Sequence, residues 1–207
     1  DEAQSDKSIH DIVRAKEKGL EKYLVYDPYR RNCLRDHFLD PAVTVRDLWQ
    51  CTAPEMGDFA AGVYQYKTAA DGLVMWREGR VGFEPGQPVT VRKTVRTEPG
   101  ASRFEIRYDI IHGGDADFEA LFGVETVVNL LSGDAPDRYY RSDDVELEDA
   151  RLGAFGELDG IRHFAFRDDW NRMKFSLRFA APARVFHFPI ETVNNSEGGQ
   201  ERSYQGS

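Results

Sequence analysis

The sequence predicts a mostly β protein, a large antiparallel β-sandwich preceded by one N-terminal helix. Three observations carry this reading. From Pro41 onward, apolar residues recur with a period of two in one strand-length run after another. The gaps between runs hold turn chemistry: Asp71-Gly72, Pro85-Gly86, Gly113-Gly114, Asp159-Gly160 and Asp168-Asp169. A helical period appears in one stretch alone, before residue 25. Many short strands without a second helical pattern imply a sandwich or barrel.

The helix is expected near residues 8–22, with Ser8 and Asp11 as a shortened capping box. Ile9, Ile12, Val13, Leu20, Tyr23 and Leu24 fall mainly on one face, and Lys16, Glu17, Lys18 and Glu21 form the wet one. Asp27-Pro28 stops it, because a residue before proline avoids the helical region. Residues 1–40 are therefore expected as a linker helix and lead-in segment, and residues 41–207 as the β-sandwich domain. Strands are expected near 43–51, 59–68 and 72–83. Val89 to Arg96 alternates, as does Arg103 to Ile110, and Glu98-Pro99-Gly100 between them predicts a hairpin. Phe118 to Leu131 carries apolar residues on both sides and reads as one long covered strand. Residues 132–144, rich in Asp, Ser, Pro and Arg, read as a mobile loop. Strands then follow near 158–168, at 172–179 and near 183–193.

Charge excludes two classes of partner. With 27 Lys+Arg against 36 Asp+Glu, the net charge is −9, and no basic stripe offsets it. Such a surface repels phosphate backbones and anionic membranes, so neither nucleic acid nor membrane is expected. No apolar run approaches the ~20 residues that span a bilayer. Cys33 and Cys51 read as reduced, packed thiols of a cytoplasmic protein, with a single bridge left open. No phosphate loop, zinc-protease helix, nucleophile elbow or Cys-x-x-Cys is present, so no metal and no cofactor is called for. Asp58, Asp168 and Asp169 lack EF-hand spacing and read as solvated turns.

The candidate binding residues are aromatic and polar. Trp49, Trp76 and Trp170 offer flat faces of the kind that stack on pyranose rings, and Tyr64 and Tyr66 share one strand face. The plainer reading of each is packing. Glu125 lies in an apolar strand with Asn129 four residues on, a pair able to bond sugar hydroxyls or to tie the sheet to another domain. His187, flanked by Phe186 and Phe188, reads first as a hydrogen-bonded sheet histidine and second as a base.

The run Phe188 to Gly206, with Glu191, Thr192, Asn195, Ser196 and Glu197 at its centre, resembles the C-terminal signature of glycoside hydrolase family 57. Tyr26 to Leu39, containing Arg30, Arg31, Asp36 and His37, resembles the same family where it leads into this domain. Ala15 to Glu21 and Met56 to Phe59 are similar too. The resemblance implies the 4-α-glucanotransferase and α-amylase type. An N-terminal (β/α)7 barrel in the same polypeptide would hold the catalytic carboxylates, and this chain would be the galactose-mutarotase-like sandwich behind it. It implies a non-catalytic domain that supports the barrel and contacts an α-glucan or maltooligosaccharide. The alternatives are an aldose-epimerase-like enzyme, using Glu125 and His187, and a pure interdomain scaffold. The two motifs are expected to face the barrel together.

Overall fold

The computed structural model describes residues 18–196 and 199–207. The protein is mostly β with antiparallel sheets, as the alternation predicts. Most of the expected N-terminal helix, and Glu197, lie outside the described residues; Leu20–Tyr23 form a single 3-10 turn. The chain divides into two compact units. Asp27–Thr44 and Thr52–Val127 make the smaller one, and Asp1–Tyr26, Val45–Cys51 and Val128–Ser207 the larger.

The smaller unit is a four-stranded meander and a two-stranded ribbon. The ribbon pairs β1 (Arg35–Leu39) with β6 (Leu121–Glu125). The meander runs β2 (Gln65–Ala69), β3 (Gly72–Val81), β4 (Gln87–Thr97) and β5 (Phe104–His112), each antiparallel to the next. The expected β4–β5 hairpin closes from Thr97 opposite Phe104, with Gly100 at φ +78° supplying the left-handed turn position. On β4 the alternation resolves into two faces: Val89, Val91 and Lys93 are buried, whereas Arg92 and Arg96 are exposed. Phe38, Phe59, Val81, Val89 and Val91 form the core, and Tyr64, Tyr108, Phe118 and Phe122 pack against it.

The larger unit holds α1 (Val45–Trp49), a sheet of β7 (Arg138–Ser142), β8 (Gly156–Asp168) and β9 (Met173–His187), and a hairpin of β10 (Ile190–Ser196) and β11 (Gly199–Gly206). Its core is Tyr140, Leu152, Ile161, Phe164 and Phe166.

Four local expectations give way to tertiary context. Residues 45–49, expected as strand, form one helical turn that Cys51 ends at φ +54°. The expected strand at 59–68 pairs only from Gln65, because Phe59 turns into the core and its carbonyl accepts from Gly62 N–H at 3.0 Å. The long strand at 118–131 pairs only over Leu121–Glu125, the five residues that β1 can reach. Within 132–144, Arg138–Ser142 is strand, because its backbone finds β8. One turn also differs. Asp168 is buried, accepting from Asn171 N–H at 2.9 Å, Asn171 Nδ2 at 2.7 Å and Arg138 Nε at 3.2 Å. These bonds, the Asn171 backbone first, hold its carboxyl below the usual range.

Candidate functional site

In the smaller unit, alternation places Lys93 on the buried face of β4, where a cation needs a carboxylate. Asp36 on β1 supplies it: Lys93 Nζ lies 2.9 Å from Asp36 Oδ2, with both side chains almost fully buried. Lys93 also donates to Leu34 O at 2.6 Å and lies 4.3 Å from the Tyr64 ring centre. Tyr64 OH donates to Asp36 Oδ2. Burial, then Asp36, pushes the Tyr64 and Tyr108 phenols well above their ordinary pKa, so both remain neutral.

A second network lies at the same end of β1, where Glu125 pairs with Arg35. Arg31 Nη1 and Tyr29 OH each donate to Glu125 Oε2 at 3.0 Å, and Arg31 Nε donates to Asp27 Oδ1 at 2.7 Å. His37 Nδ1 lies 2.8 Å from Glu55 Oε2, and Glu55 Oε1 accepts from Phe38 N–H at 2.7 Å. Arg31, Asp36 and His37 are thus engaged inside this unit, while Arg30 is exposed. Glu125 is at the last position of β6, and Asn129 follows outside any strand, so they do not share a strand face.

The register sorts the remaining aromatics. Tyr66 pairs with Met75 and Trp76 with Gln65, which puts Tyr66 and Trp76 on opposite faces of the meander. Trp76 faces outward into a groove of about 500 Å³, together with the charged residues Lys67, Arg92, Arg96, Glu105, Arg107 and Asp109.

In the larger unit, His187 ends β9 inside the aromatic core. Its ring centre is 4.3 Å from that of Tyr140 and 5.6 Å from that of Phe164, and Nδ1 lies 3.3 Å from Ala154 O. Burial pushes its pKa down to about 4, against a smaller upward pull from the Ala154 carbonyl and Asp149. The ring occupies the space where a side chain at Gly156 would sit, with Nε2 only 2.0 Å from an added Cβ. His187 is therefore a neutral core residue. With Glu125 held by an arginine and a tyrosine, both groups named for epimerase chemistry are engaged in packing and ion pairing.

The C-terminal motif is the hairpin of β10 and β11. Glu191 Oε1 lies 3.2 Å from Arg202 Nη1, which donates to Tyr23 OH at 3.0 Å. Tyr23 packs edge-on against Trp49 at 5.7 Å, and Trp49 against Phe155 at 5.1 Å, so Trp49 is a packing residue. Thr192 Oγ1 accepts from Gln205 Nε2 at 3.1 Å, and Ser196 Oγ donates to Gly199 O at 2.9 Å. Asn195 is exposed on β10, and Trp170 is 76% exposed at the β8–β9 turn. Among the described residues, no group of three or more His, Cys, Asp or Glu could hold a metal ion, and Cys33 and Cys51 are not bridged to each other. No helix among them is long and apolar enough to cross a membrane.

Lys93, Tyr29, Glu55, Tyr108 and Arg202 were not singled out from sequence. Lys93 had a readable signal, its parity with Val91 and Val95. The others had none, since their partners are distant in the chain.

A family model described as alpha-amylase/4-alpha-glucanotransferase, C-terminal, matches residues 1–207. An α-amylase of Pyrococcus abyssi is 30% identical over 200 residues, covering 96% of this chain and 26% of the relative. A 4-α-glucanotransferase of Thermococcus litoralis is 28% identical over 200 residues, covering 96% and 27%. The crystal structure of 4-α-glucanotransferase from Thermococcus litoralis superimposes with a TM-score of 0.73 at 26% identity, covering 92% of this chain and 26% of that one. The chain spans about a quarter of the length of the relatives it matches.

Proposed function

Because this chain belongs to the family of α-amylase/4-α-glucanotransferase C-terminal domains, we propose that it serves as the non-catalytic C-terminal domain of an enzyme acting on α-1,4-glucans. The observation that carries the reading is a family match over the whole chain, joined to relatives four times its length. The remaining length of such a polypeptide is where a catalytic (β/α)7 barrel of the glycoside hydrolase family 57 type belongs. Its two carboxylates would carry out a retaining double displacement. This chain's part is to support that barrel through a mutarotase-like sandwich. Exposed Arg30, Thr192 and Asn195, together with Glu197, are the groups proposed to meet it. The unbridged Cys33 and Cys51 support a reducing, cytoplasmic setting.

The test is to express this chain alone and joined to the residues encoded before it, then to incubate each with maltoheptaose. The longer polypeptide is expected to yield new glucan lengths on chromatography, and the 207-residue chain none. Products from the chain alone would overturn the reading. Glu197→Ala is expected to lower activity or thermal stability of the longer polypeptide and to leave the isolated chain nearly unchanged. Equal loss in both would refute the contact.

A further inference from the structure

We infer that the outer face of the β2–β5 meander, centred on Trp76, is a binding surface for a neutral α-1,4-glucan chain; the choice of sugar rests on the function proposed above. Three facts converge there. First, the register aligns Trp76, Arg92 and Asp109 across β3, β4 and β5 in one rung. Adjacent strands lie about 4.8 Å apart, so an aromatic plane, a donor fork and a carboxylate stand in a row about 10 Å long. Second, the polar groups are uncommitted or pre-set. Lys67, Arg92 and Glu105 have no hydrogen-bond or ion-pair partner among the described residues. Asp109 Oδ1 takes Arg107 Nε at 3.0 Å, which fixes the carboxylate and leaves Oδ2 open. Third, the groove mixes signs: of its four cations Arg96 is 3.7 Å from Asp71 and Arg107 is paired with Asp109, so Lys67 and Arg92 stand beside Glu105 and Asp109.

That mixture selects the occupant. A phosphate or polyanion would meet Glu105 and Asp109 beside the arginines. An apolar partner would bury charges without pairing them, at high cost. A sugar hydroxyl both donates and accepts, so a polyol engages arginine and carboxylate alike, while the indole covers the apolar face of the ring. Tyr66, on the other face, takes no part.

The test is electrophoresis of the 207-residue chain through native gels containing amylose, dextran or polyphosphate. Amylose is expected to retard the chain, and the other two polymers to leave it unretarded. Trp76→Ala is expected to weaken binding about tenfold or more, equivalent to about 1.4 kcal/mol. Arg92→Ala, at an exposed position and with circular dichroism as the control for folding, is expected to weaken it several-fold. Trp170→Ala is expected to bind like the parent sequence. An unretarded chain, variants at Trp76 and Arg92 that bind normally, or retardation by polyphosphate in place of amylose would each overturn the inference. Maltoheptaose turnover by the longer polypeptide is read separately. Turnover without retardation removes this surface and leaves the proposed function; retardation without turnover does the reverse.

Discussion

The core of the smaller unit keeps a lysine and an aspartate 2.9 Å apart, whereas that of the larger unit keeps a histidine whose pKa burial pushes down to about 4. Both are polar groups facing apolar cores, and the physics differs. An ion pair is tolerated only while both members stand, since either alone is an uncompensated buried charge. A neutral imidazole needs no counterion, but it resists protonation. The smaller unit should therefore be sensitive to deletion of one charge, and the larger unit to acid.

The largest expected effect follows from the pair. Lys93→Ala should cost about 3–5 kcal/mol in urea unfolding, because Asp36 is left buried with only Tyr64 as a side-chain donor. Lys93→Leu combined with Asp36→Leu should recover most of that loss. A cost below about 1 kcal/mol for the single change would mean that Asp36 gains its proton or reaches water, and the contrast would fall.

Next is the pH dependence. The folded pKa of His187, about 4, lies below the usual 6.5. Between those values the unfolded chain binds a proton that the folded chain refuses, so stability is full above 6.5 and declines as pH falls toward 4. The decline should total roughly 3 kcal/mol. The carboxylates held low by hydrogen bonds, Asp144, Asp149 and Asp168, lose their contribution only below the usual 3.8, outside this window. Denaturation midpoints at successive pH values should show the slope, and His187→Leu should flatten it. A slope that persists in that variant would assign it to another group.

The ribbon network sharpens the comparison, since it is charged but less enclosed than Asp36. Arg31→Ala should cost about 1–3 kcal/mol by leaving Glu125 with the Tyr29 hydroxyl as its donor, and Glu125→Gln should cost less. Equal costs for Arg31→Ala and Lys93→Ala would show that burial does not separate the two networks. At the bottom of the scale, Trp170→Ala should shift stability by no more than about 0.5 kcal/mol, because its side chain is largely in water. Thermal melting suffices to check this.

What the sequence determined by itself is the mostly β content and the two faces of β4. Alternation at Val89–Arg96 is local, and a pleated chain converts it directly into an inner and an outer side, whereas on β5 the same alternation leaves Phe104 and Ile110 exposed. Turn residues such as Glu98-Pro99-Gly100 fixed a hairpin for the same local reason. The family, too, was legible in the two end motifs. Tertiary structure alone decided which partners those faces meet. Glu125 and Asn129 lost their common strand because β1 pairs only as far as Glu125. Trp49 became a packing residue because Tyr23 and Phe155 lie against it. Trp76 and Tyr66 were separated by a register that neither residue encodes. Strand period is set by neighbours two residues apart, whereas a buried charge, a ring contact or a shared face is set by residues tens of positions away. A lone sequence records that those residues exist, not that they meet.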